Sequence, residues 1–287
     1  MKIKEVLDRT IQFFKDKKWD QARLEAEWLI AGGLGIDRVQ LYMKYEQPLQ
    51  EAELEKLRGF VKRRASGEPL AYITGTKGFY KLDFKVTKDV LIPRPETETL
   101  IEYGLIWAKK NLAEKEEIKI LDIGSGSGCI GLTMAKELPN TKIQFIDVSE
   151  KALAVAKENA ALLKVEERCI FTLGDASLVA SSIEGGFDLI LSNPPYISPD
   201  DPEVEAHVKS FEPHQALFAK NGTDLLTAWS KLYAPKLSQP GLMMMEMGYK
   251  QGAEMQKHFE SLEAFDIVQV LKDLSGHDRI IQGSIHG

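Results

Sequence analysis

Residues 120–131 read ILDIGSGSGCIG, an apolar run that gives way to a glycine-rich turn and then to a segment of helical character. Strand, glycine turn and helix in that order let backbone N–H groups approach a ligand at a helix N-terminus. Taken from Gly126, Gly128 and Gly131 the segment satisfies GxGxxG, but in the wrong register for a dinucleotide. The apolar run ends at Ile123, so the tight turn starts at Gly124, and counted from there the last glycine position is held by Cys129. Asp122 points the same way, because a carboxylate beside the loop repels a pyrophosphate and suits a ligand that carries an ammonium group. S-adenosylmethionine has that ammonium and no phosphate. The expected binding loop is therefore Gly124, Ser125, Gly126, Ser127 and Gly128 around S-adenosylmethionine, with S-adenosylhomocysteine as its product.

Downstream, Asp147 closes the next apolar run in IQFIDVSEKALAVAKENA, where a carboxylate can accept hydrogen bonds from both hydroxyls of a ribose. NAD sites use the same device, so Asp147 indicates a nucleoside without choosing the cofactor. Asp175, in TLGDAS, is placed to meet an adenine edge, and a turn or helix N-cap is the competing use of such a residue.

Around this loop the chain alternates strand and helix. Helical segments are expected at 96–112, 129–138, 149–163, 222–238 and 250–262, and strands at 118–123, 142–147, 169–173, 187–192, 241–247, 265–272 and 278–285. Such alternation implies an α/β fold of the doubly wound, Rossmann-like type: a seven-stranded, mostly parallel sheet covered on both faces. The last two strands are joined by Asp273-Leu274-Ser275-Gly276-His277, too short for a crossover helix, so they should pair antiparallel. Upstream, Ile3, Val6, Leu7, Ile11 and Phe14 mark one helical face. A second helix starts near Asp20 as N-cap and ends at Gly32-Gly33, and a third covers 51–65. Between Gly75 and Pro95 the pattern changes to alternation, with Leu82, Phe84 and Val86 on one face. The expected organisation is a helical domain over 1–72, a β-hairpin linker over 73–95 and a cofactor-binding domain over 96–287.

The motif SNPPYI, residues 192–197, follows the apolar run ending at Leu191, at the carboxyl end of a strand where ligands of open α/β sheets sit. Pro194 restricts Asn193 and Pro195 restricts Pro194, so the turn is stiff. Its acceptors would be the Asn193 side-chain oxygen and the Pro194 carbonyl, able to hold both hydrogens of one NH₂, with Tyr196 against a planar group. An amide or aromatic amine nitrogen has a delocalised lone pair and is a poor nucleophile. Two acceptors orient it and stabilise positive charge growing there, opposite an activated methyl. The expected substrate-binding residues are Asn193, Pro194, Pro195 and Tyr196, the expected catalytic ones among them Asn193, Pro194 and Tyr196, with Asn193 also expected at the cofactor, and both a protein amide and the exocyclic amine of a flipped base fit the clamp.

Composition narrows the classes further. A net charge of −6 argues against broad capture of DNA or RNA, so no stable nucleic-acid binding is expected. No stretch approaches about 20 apolar residues and the N-terminus lacks a secretory core, so a cytoplasmic chain without a membrane span is expected. The two cysteines, Cys129 and Cys169, are badly spaced for zinc and read as packed small residues. His207, His214, His258, His277 and His286 make no i, i+4 pair, so no metal is expected. Met243, Met244, Met245 and Met247 read as core.

Several blocks together resemble the HemK-like release-factor glutamine methyltransferases (the PrmC family). They are GEPLAYITG at 67–75, LIPRPETE at 91–98, DIGSGSGCIGL at 122–132, NPPYI at 193–197, FEPHQAL at 211–217 and KDLSGHDR at 272–279. NPPY alone is shared with DNA adenine methyltransferases; PRPETE and the EP…AL block carry the specificity of the match. The resemblance implies a class I methyltransferase fold and N5-methylation of the glutamine in the Gly-Gly-Gln motif of class-one peptide chain release factors. It implies that Gly124 to Gly128 and Asp147 bind S-adenosylmethionine, that Ala176 lies near its adenine and that Asn193 to Tyr196 bind the glutamine amide. At the position of Ala176 the family often carries a large residue, commonly Trp, which leaves the adenine contact here to be found. It further implies that the helical N-terminal domain helps recognise the release factor. A monomer is expected. An adenine-N6 or other nucleic-acid amine methyltransferase is the alternative enzyme, and a noncatalytic S-adenosylmethionine-binding module the alternative of another class.

Overall fold

The computed structural model describes residues 1–202 and 206–287. In chain order the elements are α1 (Ile3–Asp16), α2 (Ala22–Leu34), α3 (Arg38–Met43), α4 (Glu51–Ala65), α5 (Leu70–Thr74), β1 (Thr76–Phe79), β2 (Leu82–Lys85), α6 (Glu98–Asn111), β3 (Ile118–Ile123), α7 (Cys129–Glu137), β4 (Thr141–Asp147), α8 (Glu150–Leu162), β5 (Cys169–Leu173), α9 (Ala176–Val179), β6 (Phe187–Ser192), α10 (Ala206–Phe211), α11 (His214–Leu217), α12 (Asp224–Tyr233), β7 (Leu237–Glu246), α13 (Gly252–Ser261), β8 (Ile267–Lys272) and β9 (Asp278–Ile285). They fall into two compact units, one made of Met1–Thr76 with Ala206–Phe211, the other of the remaining described residues.

In the first unit, Ile3, Leu7 and Phe14 of α1 pack with Ala26, Leu29 and Ile30 of α2, Leu41 of α3 and Leu57 of α4. The second helix starts at Ala22 after Gln21 rather than on an Asp20 cap, and ends at Gly35 in the left-handed region. Asp37 does cap a helix: its carboxylate accepts the Gln40 N–H and the Gln40 side chain returns the bond, a capping box. Glu27 is buried yet meets Arg23, Arg38 and the Tyr42 hydroxyl, so the charge is compensated.

The second unit is a seven-stranded sheet in the order β5-β4-β3-β6-β7-β9-β8. Pairings from β5 through β7 are parallel, and β9 runs antiparallel between β7 and β8. The expected mostly parallel sheet with an antiparallel C-terminal strand is therefore what forms. Parallel strands are buried on both faces and need apolar residues throughout, and β6 is buried along its whole length. Its one charge, Asp188, accepts from Lys119 N at 2.8 Å and Ser238 Oγ at 2.6 Å and meets the Lys115 ammonium. Alternation divides the core: Ile120, Leu242 and Met244 face one layer with Leu105, Leu132 and Phe145. Ile123, Met243 and Met245 face the other with Trp229, Tyr233 and Phe259. The order reverses between β3 and β6, and a sheet opens a crevice at such a switch point, outside the carboxyl ends of its strands.

The expected helix over 222–238 is shorter, Asp224–Tyr233, and β7 begins at Leu237, inside the span expected to be helical. Pro235 supplies the reason, since it follows the helix end and cannot continue the ladder of backbone bonds.

Candidate active site at the carboxyl ends of the strands

A cleft opens where the switch point puts it. Its lining includes Gly124 and Gly126 from the loop after β3, Asp147 at the end of β4 and Val148 after it, Gly174 to Ala176 after β5, and Asn193 and Pro195 after β6. Leu225 and Trp229 of α12, Asp89 to Leu91, Ile146, Ala152, and Gln215 and Ala216 complete it. The charged side chains of this lining are Asp89, Asp147 and Asp175, with no lysine or arginine among them. An acidic, partly apolar cleft disfavours a dinucleotide's phosphates and favours a cationic nucleoside, so the residues present fit S-adenosylmethionine.

The loop is held from behind. Gly126 adopts a φ of +54°, which turns its N–H onto Asp147 Oδ2 at 2.8 Å. Asp147 Oδ1 accepts the Ser149 N–H at 2.8 Å. Each carboxylate oxygen thus keeps acceptor capacity for a hydroxyl of a vicinal diol. Burial raises the Asp147 pKa against the backbone donors that lower it. Asn159, fully buried on α8, donates to the Ser127 carbonyl at 2.9 Å and exchanges two bonds with the backbone of Lys85 on β2.

Asp122 lies behind the loop, fully buried. Its Oδ2 accepts the Gly131 N–H at 2.9 Å, tying α7 to β3, while Oδ1 has no protein partner. Loss of hydration pushes its carboxyl up to about 7, opposed by the Gly131 bond and helped by the charge of Asp147. Ser125 and Ser127 are also buried, and with Gly128 they shape the loop rather than line the cleft. Asp175 serves as N-cap of α9, its Oδ1 accepting the Ser177 N–H at 2.7 Å, and lines the cleft as well. Ala176 sits on the same wall, and its carbonyl accepts the Tyr233 hydroxyl at 2.7 Å. That bond anchors α12, whose Trp229 gives the cleft the aromatic surface that Ala176 lacks.

At the end of β6, the Asn193 Nδ2 donates to Thr97 Oγ1 at 3.1 Å. Thr97 donates to Glu246 Oε2 at 2.6 Å, and the Tyr196 hydroxyl donates to Glu246 Oε1 at 2.9 Å. Among the described residues, no protein donor is bonded to Asn193 Oδ1 or to the Pro194 carbonyl. Pro194 is buried beneath the turn, and Pro195 lines the cleft. Burial raises the Glu246 pKa, while the Thr97 and Tyr196 hydroxyls and the charge of Arg279 act to lower it. Burial and the Glu246 charge push the Tyr196 phenol well above its usual range.

Comparison with known proteins bears on the chain as a whole. A protein from Geobacter sulfurreducens named release factor glutamine methyltransferase is 40% identical over 287 residues, covering 99% of this chain and 96% of its own. One of the same name from Chlorobaculum tepidum is 39% identical over 285 residues, covering 96% and 95%. The chain belongs to the release factor glutamine methyltransferase family. Two family models fit its parts, the PrmC N-terminal domain over residues 5–75 and the methyltransferase small domain over 107–262. Among solved structures, the hMettl16 catalytic domain in complex with a MAT2A 3′UTR hairpin matches with a TM-score of 0.53 at 13% identity, covering 83% of each chain. A Pyrococcus furiosus methyltransferase matches at 0.51 and 17% identity, covering 79% of this chain and 98% of its own. At these identities the two structures testify to the fold alone.

For this family member, the cleft brings together Gly124, Gly126, Asp147, Asp175, Ala176, Asn193 and Pro195 of the residues expected from the sequence. Tyr196 is tied to Asn193 through Glu246 and Thr97 instead of facing the lining. Residues not foreseen are Thr97, Asn159, Gln215, Trp229 and Glu246. Thr97 and Gln215 lie inside the PRPETE and EPHQAL blocks. The buried carboxylate Glu212 joins those two blocks: it accepts from Arg94 Nη2 at 2.5 Å and from Ile92 N at 3.2 Å.

Proposed function

We propose that the protein transfers the methyl group of S-adenosylmethionine to the N5 side-chain amide nitrogen of the glutamine in the Gly-Gly-Gln motif of class-one peptide chain release factors. The observation that carries this reading is the pair of adjacent acceptors, Asn193 Oδ1 and the Pro194 carbonyl, at the edge of an acidic cleft. Family membership supports the substrate, since the relatives are named for it. When bound, S-adenosylmethionine supplies a methyl activated by its sulfonium. Gly124, Gly126, Asp147, Asp175, Ala176 and Trp229 are the residues that would hold it, Asp147 at the ribose and Trp229 beside the nucleoside.

The rest of the chemistry falls to the turn. Both hydrogens of the substrate NH₂ are accepted, so the nitrogen cannot rotate and its lone pair is turned toward the cleft. As the C–N bond forms and the S–C bond breaks, positive charge grows on nitrogen and both hydrogen bonds strengthen. The surplus proton leaves after transfer, so no general base is needed in the bond-forming step. The helical domain over 1–72 is the part we assign to release-factor recognition, with 73–95 as linker and 96–287 as the catalytic domain. The working form is a cytoplasmic monomer without a metal.

The test is transfer of label from S-adenosylmethionine to a purified release factor. Label confined to the Gly-Gly-Gln glutamine is expected; label persisting after that glutamine is changed to alanine rejects the substrate. Parallel reactions with duplex DNA and tRNA should stay unlabelled, and incorporation there would favour an amine of a nucleic-acid base.

A further inference from the structure

The reading that Asn193 receives the substrate amide leaves one choice open. A carboxamide is nearly symmetric in shape, but only one of its two orientations offers an acceptor. The other sets an NH₂ against the substrate's NH₂, donor against donor. We infer that Thr97 and Glu246 are positioning residues that fix the orientation of the Asn193 amide, so that Oδ1 faces the substrate.

Proton bookkeeping carries the inference. In its ionised form Glu246 can only accept, and it accepts the Thr97 hydroxyl on Oε2 at 2.6 Å and the Tyr196 hydroxyl on Oε1 at 2.9 Å. With its single hydrogen committed, Thr97 Oγ1 can only accept from Asn193, and its partner at 3.1 Å must be Nδ2. Direction is thus imposed from the buried end of the chain: carboxylate, hydroxyl, amide, substrate. Beyond Thr97, Glu246 meets the Tyr196 hydroxyl and the charge of Arg279, and its other surroundings are apolar. It stands after Met243, Met244 and Met245 and before Met247, all of which pack in the core, and it is itself 1% exposed. Burying a carboxylate among such neighbours costs free energy that an apolar residue would not. Thr97, likewise 1% exposed, reaches this strand from 149 residues upstream. Two polar residues buried together behind the turn, each committed to the next, are what selecting one amide orientation requires.

Thr97→Val keeps the shape and deletes the hydroxyl. The expected result is a fall in kcat of about tenfold or more, the size of one lost charge-assisted hydrogen bond. S-adenosylhomocysteine affinity should stay within about twofold, and Thr97→Ser should restore kcat to within about threefold. In an Asn193→Ala background Thr97→Val should cause no further loss, because nothing remains to orient; losses that multiply would overturn the inference. Glu246→Gln is the second variant, should Thr97→Val fold poorly. It replaces one acceptor with a donor, so kcat falls only while Asn193 is present. Full kcat in a folded Thr97→Val, alongside a crippled Asn193→Ala, sinks the orientation role and leaves the proposed function standing. Full activity in Asn193→Ala sinks both.

Discussion

Replacing Asp122 by asparagine should change how the protein's stability depends on pH. The wild-type carboxyl is fully buried, with one oxygen on the Gly131 N–H and the other unpartnered. Burial pushes it up to about 7 from an ordinary value of 3.8. A carboxyl raised on folding binds its proton more tightly in the native state. Its stabilising contribution is therefore complete below the ordinary value and is lost as pH climbs through the native one. Each pH unit inside that window costs about 1.4 kcal/mol, so the wild type should lose roughly 2–3 kcal/mol from this group between pH 5 and pH 8. A carboxamide cannot ionise in either state, so Asp122→Asn should remove that slope while keeping the acceptor for Gly131. Urea unfolding of both proteins without cofactor, followed by tryptophan fluorescence at pH 5, 6, 7 and 8, gives the comparison. The stability difference should widen in favour of Asp122→Asn by roughly 2–3 kcal/mol across the series. Parallel pH profiles would refute the reasoning, because they would mean that Asp122 is ionised in the folded protein throughout.

Other outcomes follow from the same geometry. Asn193→Ala removes one of two acceptors for a nitrogen acquiring charge, worth about 1.5–3 kcal/mol, so kcat should fall roughly 10- to 160-fold with S-adenosylhomocysteine affinity little changed; a loss confined to cofactor binding, seen by calorimetry, would contradict the role. Gly131→Ala would put a Cβ 2.5 Å from the Phe145 ring and 3.0 Å from Asp122 Oδ2. Overpacking of that kind costs about 1–3 kcal/mol and should lower the melting temperature, whereas an unchanged melt would show that the ring can yield. Asp188→Ala leaves the Lys119 N–H without its acceptor, while Ser238 keeps the Pro240 carbonyl and Lys115 is partly exposed, and should cost about 1–3 kcal/mol, measured by urea unfolding. Loss of hydration pushes the Cys129 thiol up to about 12 and Cys169 up to about 11 although both are partly exposed, so both should react slowly with a disulfide reagent at pH 8; rapid stoichiometric labelling would show that one forms its thiolate readily.

The parts of the fold and site visible in the sequence share a physical property: they are local. The loop from Gly124 to Gly128 announces itself because backbone conformations with positive φ need glycine within a few residues of one another. Asn193-Pro194-Pro195 is legible because proline's restrictions act on the adjacent residue. The helices α1 and α4 and strands β3, β5, β6 and β9 are long or apolar enough for their period to show. The helices α3, α5, α9 and α11 have four to six residues, too few turns for a repeat. Glu246 and Trp229 are hidden for a different reason. Each lies in an apolar segment whose local pattern says only core, and their place beside the turn and the cleft is fixed by sheet order. Thr97 meets Glu246 because α6 begins beside the end of β7, a neighbour relation written nowhere in PRPETE itself.

Asn159 has a consequence for motion. Its amide spends three hydrogen bonds, two on the backbone of Lys85 in the hairpin and one on the Ser127 carbonyl of the glycine loop. Lifting the hairpin would strip a buried amide of two of its three hydrogen bonds and loosen the side chain that holds the loop carbonyl, so the two motions are coupled. A hairpin that looks peripheral thereby acts as a damper on the loop, and a ligand that stills the loop would also quieten a strand it does not touch.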